Sequence, residues 1–250
     1  MMRRGQFLEL SIPTGDIAES LEFYRRIGFT EVPVNDIRQH YYAVITDGRI
    51  AIGLHGAGFE EPTLAFVWPE LAHHVRTLED AGHEFEFVEL GEDTFNEAGL
   101  LSPDGHPLRF IEARTFSRGD LGDVDPPVVG RSTEISLRCD EYAPTIAFWE
   151  HADFITDEGP DTDLELTDVI TDAERDSDLE QADAMMLRAR GVVLGLRTGL
   201  PWRVPALRFA PDDVATTLAE LERRDLQPRR KAGGRVLTAP EGTPLLIVDE

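Results

Sequence analysis

Cysteine and lysine are nearly absent from this chain: Cys139 is the single cysteine of 250 residues and Lys231 the single lysine. One cysteine excludes an intrachain disulfide and a cysteine-rich metal site, and Cys139 is read as a small strand residue. No apolar run reaches the roughly 18 residues of a membrane span. The N-terminal MMRRGQFLEL is basic, but Glu9 interrupts any apolar core of a signal peptide, so the expected location is cytoplasmic. Cationic surface is scarce too. Lys and Arg number 24 against 48 Asp and Glu, a net charge of −24, which argues against nucleic acid or an anionic membrane as partner. Acid excess with almost no lysine suggests a halophilic protein, kept soluble where salt screens self-repulsion.

What is present is organised around residues 9–32, ELSIPTGDIAESLEFYRRIGFTEV. Leu10 and Ile12 alternate with Glu9 and Ser11 as in a half-buried strand. Pro13 and Gly15 break the strand, and Asp16 stands at a helix N-cap. Ile17, Leu21, Tyr24 and Ile27 recur at helical spacing, and Gly28 closes the helix. The unit returns from Glu134 as EISLRCDEYAPTIAFWEHADFITD, at an offset of 125 (134 − 9). Glu9 answers Glu134, Ser11 Ser136, Phe23 Phe148 and Tyr24 Trp149, an internal duplication.

The remainder repeats as well. HYYAVITDGRIAIGLHG reads as a hairpin, His40–Thr46 and Arg49–His55, turning at Asp47-Gly48. TLAFVW is a strand, Glu70–Ala81 a helix ended by Gly82, EFEFVEL a strand, and FNEAGLLSPDGHPLRFIEA a hairpin turning at Pro103-Asp104-Gly105. In the second half ALRF is a strand, Asp213–Arg224 a helix, and GRVLTAPEGTPLLIVDE the last hairpin. IGLHG answers LGLRT, and Pro103-Asp-Gly answers Pro240-Glu-Gly. The expected fold is therefore α+β: four β-α-β-β-β units in two tandem domains, residues 1–113 and 132–250. Residues 114–131, with Pro126-Pro127 and three Gly, read as a linker. An excursion at 157–183, dense in Asp and Glu, reads as a solvated acidic segment.

Paired units with Phe-Tyr followed by Gly-Phe, and a Pro-Asp-Gly-x-Pro turn before the last strand, resemble the vicinal oxygen chelate superfamily. That superfamily includes glyoxalase I, bleomycin-resistance proteins and extradiol dioxygenases. The resemblance implies two cupped eight-stranded mixed sheets with helices outside. It also implies that a divalent metal, where one is used, is held by residues on the first, fourth, fifth and eighth strands. Here those places fall on Glu9, Gly53, Thr63 and Arg109, and in the second half on Glu134, Gly195, Ala206 and Leu246. One donor per domain, with a permanent cation at Arg109, is not a divalent site, so no metal and no cofactor is expected.

The expected alternative contents are protein charges. Glu9 is expected to pair with Arg109, with His55 facing the same cavity and Ser11 and Thr63 on its wall. Glu134 is expected to meet Arg197, the counterpart of His55, or Arg208, the counterpart of Ala65. The resulting expectation is a metal-free binder of a small organic molecule of the glyoxalase and bleomycin-resistance type, monomeric or homodimeric, using Glu9, Ser11, His55, Thr63, Arg109, Glu134, Arg197 and Arg208. The alternative is a superfamily lyase, isomerase or dioxygenase, with Glu9 as base and His55 or Arg109 as electrophile, or with an unconventional metal site using Glu9 and His55. Other residues take bland roles: Tyr24 and Trp149 in the core, His73-His74 on a helix surface, His106 in a turn. His40, His83 and His151 are expected at element edges without ligand-like partners at useful spacing, and Trp68 and Trp202 at the cup mouths.

Overall fold

The first strand, β1 (Gln6–Pro13), pairs on both sides and sits mid-sheet. It leads into α1 (Ile17–Ile27), where Asp16 Oδ1 accepts from the Glu19 backbone N–H at 3.0 Å, closing the N-terminus as its position predicts. Gly28 closes the other end at φ 107°, a left-handed conformation that glycine takes without strain. β2 (Thr30–Val32), β3 (Tyr42–Thr46) and β4 (Ala51–His55) follow. The second unit comprises β5 (Thr63–Val67), α2 (Leu71–Asp80), β6 (Phe85–Glu89), β7 (Glu97–Leu101) and β8 (Pro107–Ile111). In this computed structural model residues 5–33, 40–112, 121, 124–152, 184–231 and 233–249 are described. The acidic segment 157–183 and most of 114–123 lie outside them.

The second half contains β9 (Ser132–Arg138), α3 (Tyr142–His151), β10 (Met185–Ala189), β11 (Val192–Arg197) and β12 (Ala206–Phe209). It ends with α4 (Val214–Arg223), β13 (Arg229–Lys231), β14 (Gly234–Thr238) and β15 (Pro244–Ile247). The first sheet runs β2-β3-β4-β1-β5-β8-β7-β6 and the second β10-β11-β9-β12-β15-β14-β13. β1 is parallel to β4 and antiparallel to β5, and β9 repeats this with β11 and β12, so the duplication read in the sequence is a duplication of topology. The second sheet has seven strands among the described residues, where eight were expected. β10 and β13 carry no clear alternation, and the sequence reading passed over both.

Each sheet has two chemically distinct faces. Leu10, Ile12, Ile52, Leu54, Leu64 and Phe66 join helix residues Tyr24, Ile27, Leu71, Val75 and Leu78 in one buried cluster that extends through both halves. Tyr24 and Trp149 are both fully buried there. Trp68 is a correction: it packs in this core, stacked on His74 with centroids 4.1 Å apart, and not at a cup mouth. The TLAFVW segment is buried throughout, so the indole follows its strand inward; His74, expected at the surface, is buried beneath it.

The two halves hold each other through the Pro-acid-Gly turns. Asp104 accepts from the Asp140 N–H at 2.8 Å and from the Thr145 hydroxyl at 2.5 Å, at the start of α3. Reciprocally, Glu241 accepts from Ser20 at 2.9 Å and from the Tyr24 hydroxyl at 2.7 Å on α1. His106 belongs to the same contact, donating from Nε2 to the Arg138 carbonyl at 2.7 Å, so it is more than a turn residue. Asp47 likewise caps its own turn through Oδ1 and takes the Ser132 N–H on Oδ2 at 2.6 Å.

Candidate functional site

The face of each sheet turned away from the helices carries the polar residues. Glu9 on β1 is 1% exposed, a burial that a carboxylate sustains only with several donors. Its donors are close. Ser11 donates to Oε1 at 2.8 Å, His55 Nε2 lies 2.9 Å from the same oxygen, and Tyr42 donates to Oε2. Tyr42 reaches it because β3 and β4 bring Tyr42 opposite His55 in register. His55 Nδ1 lies 3.0 Å from His40 Nε2. If His55 donates to the carboxylate from Nε2, its Nδ1 accepts from His40, which fixes one direction for the chain His40–His55–Glu9. His40, expected at a strand edge away from any ligand-like group, is thereby joined to the site.

Glu9 lies over the neighbouring strand. A β-carbon placed on Gly53 would fall 2.5 Å from the Glu9 carboxyl carbon. The second half repeats the arrangement, with a β-carbon on Gly195 falling 2.2 Å from Glu134 Oε1. Both fourth-strand positions are thus glycine for a steric reason, the close approach of a folded-over carboxylate.

The expected Glu9–Arg109 pair is replaced by another. Arg109 Nη2 lies 2.6 Å and Nε 2.8 Å from Glu97 Oε2, a partner on the adjacent β7. Ala65 separates Glu9 from Arg109 in the sheet register. The Phe59 ring lies 4.5 Å from the His55 ring and 4.9 Å from the Arg109 guanidinium, and the Phe87 ring lies 5.7 Å from the guanidinium. Glu97, Phe59 and Phe87 were not anticipated. Phe59 comes from an irregular loop, but its counterpart 143 residues on (202 − 59), Trp202, was the available signal. Thr63 faces the same side but donates to the Glu61 carbonyl at 2.9 Å.

In the second cup Arg197 binds both oxygens of Glu134, Nε to Oε1 at 2.7 Å and Nη2 to Oε2 at 2.9 Å. This is the fork geometry that makes Arg–carboxylate pairs strong. Ser136 donates to Oε1, as Ser11 does in the first cup. Arg208 stands directly across from Glu134 in the β9–β12 register. Trp202 packs beside Val236, Leu246 and Val248. His83 and His151, expected at element edges, meet across the halves at 3.2 Å, and burial, then the neighbouring His151, lowers the His83 pKa.

A divalent cation at the place the resemblance implies would need donors from Glu9, Gly53, Thr63 and Arg109. Glycine offers no side chain, Thr63 points its hydroxyl at a carbonyl, and Arg109 is itself a cation. Glu9 already accepts three protein hydrogen bonds. Among the described residues no group of three or more His, Cys, Asp or Glu side chains is arranged to hold a metal. This residue set does not fit the ion.

Comparison with known proteins agrees with the fold. The family model described as Glyoxalase/Bleomycin resistance protein/Dioxygenase superfamily matches residues 6–98. No curated protein sequence matches significantly. Among solved structures, a catechol 2,3-dioxygenase aligns at TM-score 0.58 and 14% identity over 98% of this chain and 87% of its own. The Mn(II)-bound glyoxalase from Novosphingobium aromaticivorans aligns at 0.55 and 14%, over 100% and 85%. An extradiol ring-cleaving dioxygenase from B. fuscum aligns at 0.56 and 12%, over 96% and 70%. At these identities the structures establish the fold alone. Residues 6–98 thus carry the sequence signature of the Glyoxalase/Bleomycin resistance protein/Dioxygenase superfamily, and the chain as a whole has the tandem two-sheet fold of these structures.

Proposed function

We propose that this protein is a metal-free binder of a small organic molecule, of the glyoxalase and bleomycin-resistance type. The observation that carries the reading is the engagement of both first-strand carboxylates by the protein's own donors, each folded over a glycine that leaves room for it. These faces also carry aromatic rings and charged groups that a ligand could meet: Tyr42, Phe59 and Arg109 in the first cup, Trp202 and Arg208 in the second. Apolar walls with a few oriented polar groups are the common composition of small-molecule sites. A thermal-shift screen of small aromatic and thiol-conjugate compounds tests the reading. Binding that weakens in Glu9→Gln or Arg197→Gln supports it, and a flat screen across chemical classes contradicts it.

A second reading, an enzyme working by metal-free proton transfer, is favoured by the chain His40–His55–Glu9–Tyr42. A buried carboxylate linked through an imidazole to a second, half-exposed imidazole is a path along which a proton can move. Its test is deuterium uptake at the carbon next to the carbonyl of small ketones, which a pure binder leaves at the background rate.

A further inference from the structure

We infer that the second cup takes a small organic anion with an apolar or aromatic body; the inference rests on the binding reading above. The two cups share one cross-sheet row, and its chemistry is inverted between them. In the first sheet the row reads Glu9, Ala65, Arg109, Gly99, Phe87. In the second it reads Glu134, Arg208, Leu246, Val236, Arg229. The first row places its cation centrally, clamped between Glu97 and two rings. The second places apolar residues centrally and cations to either side.

Leu246 and Val236 pack with Val248, Trp202 and Ala210 into a small apolar floor, separate from the main core. Arg208 flanks it on β12. Arg229 flanks it on β13, and the Lys231 ammonium lies 5.4 Å from the centre of the Trp202 ring. Three strand spacings separate Arg208 from Arg229, about 14 Å along a flat row, which long side chains narrow to the width of one or two aromatic rings. Glu134, the carboxylate of this row, is bound at both oxygens by Arg197. The local sequence also stands out in a chain of net charge −24: residues 229–235 carry four basic residues and no acid. An anionic ligand is what such a local field concentrates.

A second observation points to an occupant. The Trp202 indole Nε1 is buried and has no hydrogen-bond partner among the described residues. A buried donor left unsatisfied is costly, and a ligand oxygen lying over the apolar floor would accept from it.

The test compares 2-naphthoate with its neutral isostere 2-naphthamide. Calorimetry at fixed ionic strength gives affinities, and the Trp202 indole N–H signal in ¹H–¹⁵N spectra reports location. The expected result is saturable binding of 2-naphthoate that shifts the Trp202 signal, with the amide about tenfold weaker, the loss of one charge-assisted contact. Arg229→Gln and Lys231→Gln, both at exposed positions, should each weaken the carboxylate and leave the amide unchanged. Equal affinity for the two compounds overturns the anion inference while the binding reading stands. Binding that shifts Tyr42 and not Trp202 also overturns it, and assigns ligand binding to the first cup. Failure of both compounds to bind overturns it too, and a flat thermal-shift screen would then remove the binding reading with it.

Discussion

The Glu9 carboxylate occupies the space that a side chain on Gly53 would need: a β-carbon there would come within 2.5 Å of the carboxyl carbon and both oxygens within 2.6 Å. Glu134 and Gly195 repeat the relationship in the second half. Each glutamate is thereby aimed at donors of its own chain: Ser11, His55 and Tyr42 in one case, Ser136 and Arg197 in the other.

Gly53→Ala is expected to destabilise the protein by about 1–3 kcal/mol, the usual range for overpacking. The added methyl must displace a carboxylate that would lose its donors. Urea unfolding of Gly53→Ala, Glu9→Ala and the double variant measures the coupling. The glycine change should cost markedly less once Glu9 is removed, and additivity would show that the two do not compete for space.

Arg197→Met is expected to cost about 3–5 kcal/mol, because it leaves a buried carboxylate without its counter-charge. Adding Glu134→Gln should recover a large part of that loss. Thermal and urea unfolding of the single and double variants decide it; an Arg197→Met protein as stable as the parent would mean the pair adds nothing.

Tyr24 gives the contact between the halves an alkaline limit. Burial, then the nearby Glu241 carboxylate, raises the Tyr24 pKa well above its ordinary value of 10.0. The folded state thus keeps the phenol proton where the unfolded chain has released it. The associated stability is complete below pH 10 and declines as pH rises further, by up to about 1.4 kcal/mol per unit. Tyr24→Phe should flatten the difference in stability between pH 9 and pH 11, and an unchanged slope would remove Tyr24 as its source.

Much of this architecture was legible because local chemistry fixed it. Asp16 and Asp213 cap their helices through Oδ1, and Gly28 ends α1, as residue type and spacing predict. Alternation along β1 and β4 placed Glu9, Ser11 and His55 on one face. The partners were harder. Tyr42 and Glu97 reach the site from neighbouring strands, so they needed hairpin register, and Arg109 was matched to the wrong carboxylate for lack of it. Phe59 enters from a loop with no periodicity, although its counterpart Trp202 was expected at a cup mouth. Asp104 and Glu241 read only as turn residues because a contact between domains leaves no local pattern. Their matched position in the two repeats was the one trace of it.

The claim that protein groups hold the place of an ion is tested most directly by metal content. The protein, along with its Glu9→Gln and Glu134→Gln variants, is incubated separately with excess Mn(II), Fe(II) and Zn(II), desalted, and analysed by plasma mass spectrometry. The expected result is far less than one equivalent of any metal retained, with no difference between the parent and either variant. One tightly held equivalent per chain, lost when Glu9 or Glu134 is changed, would contradict the account.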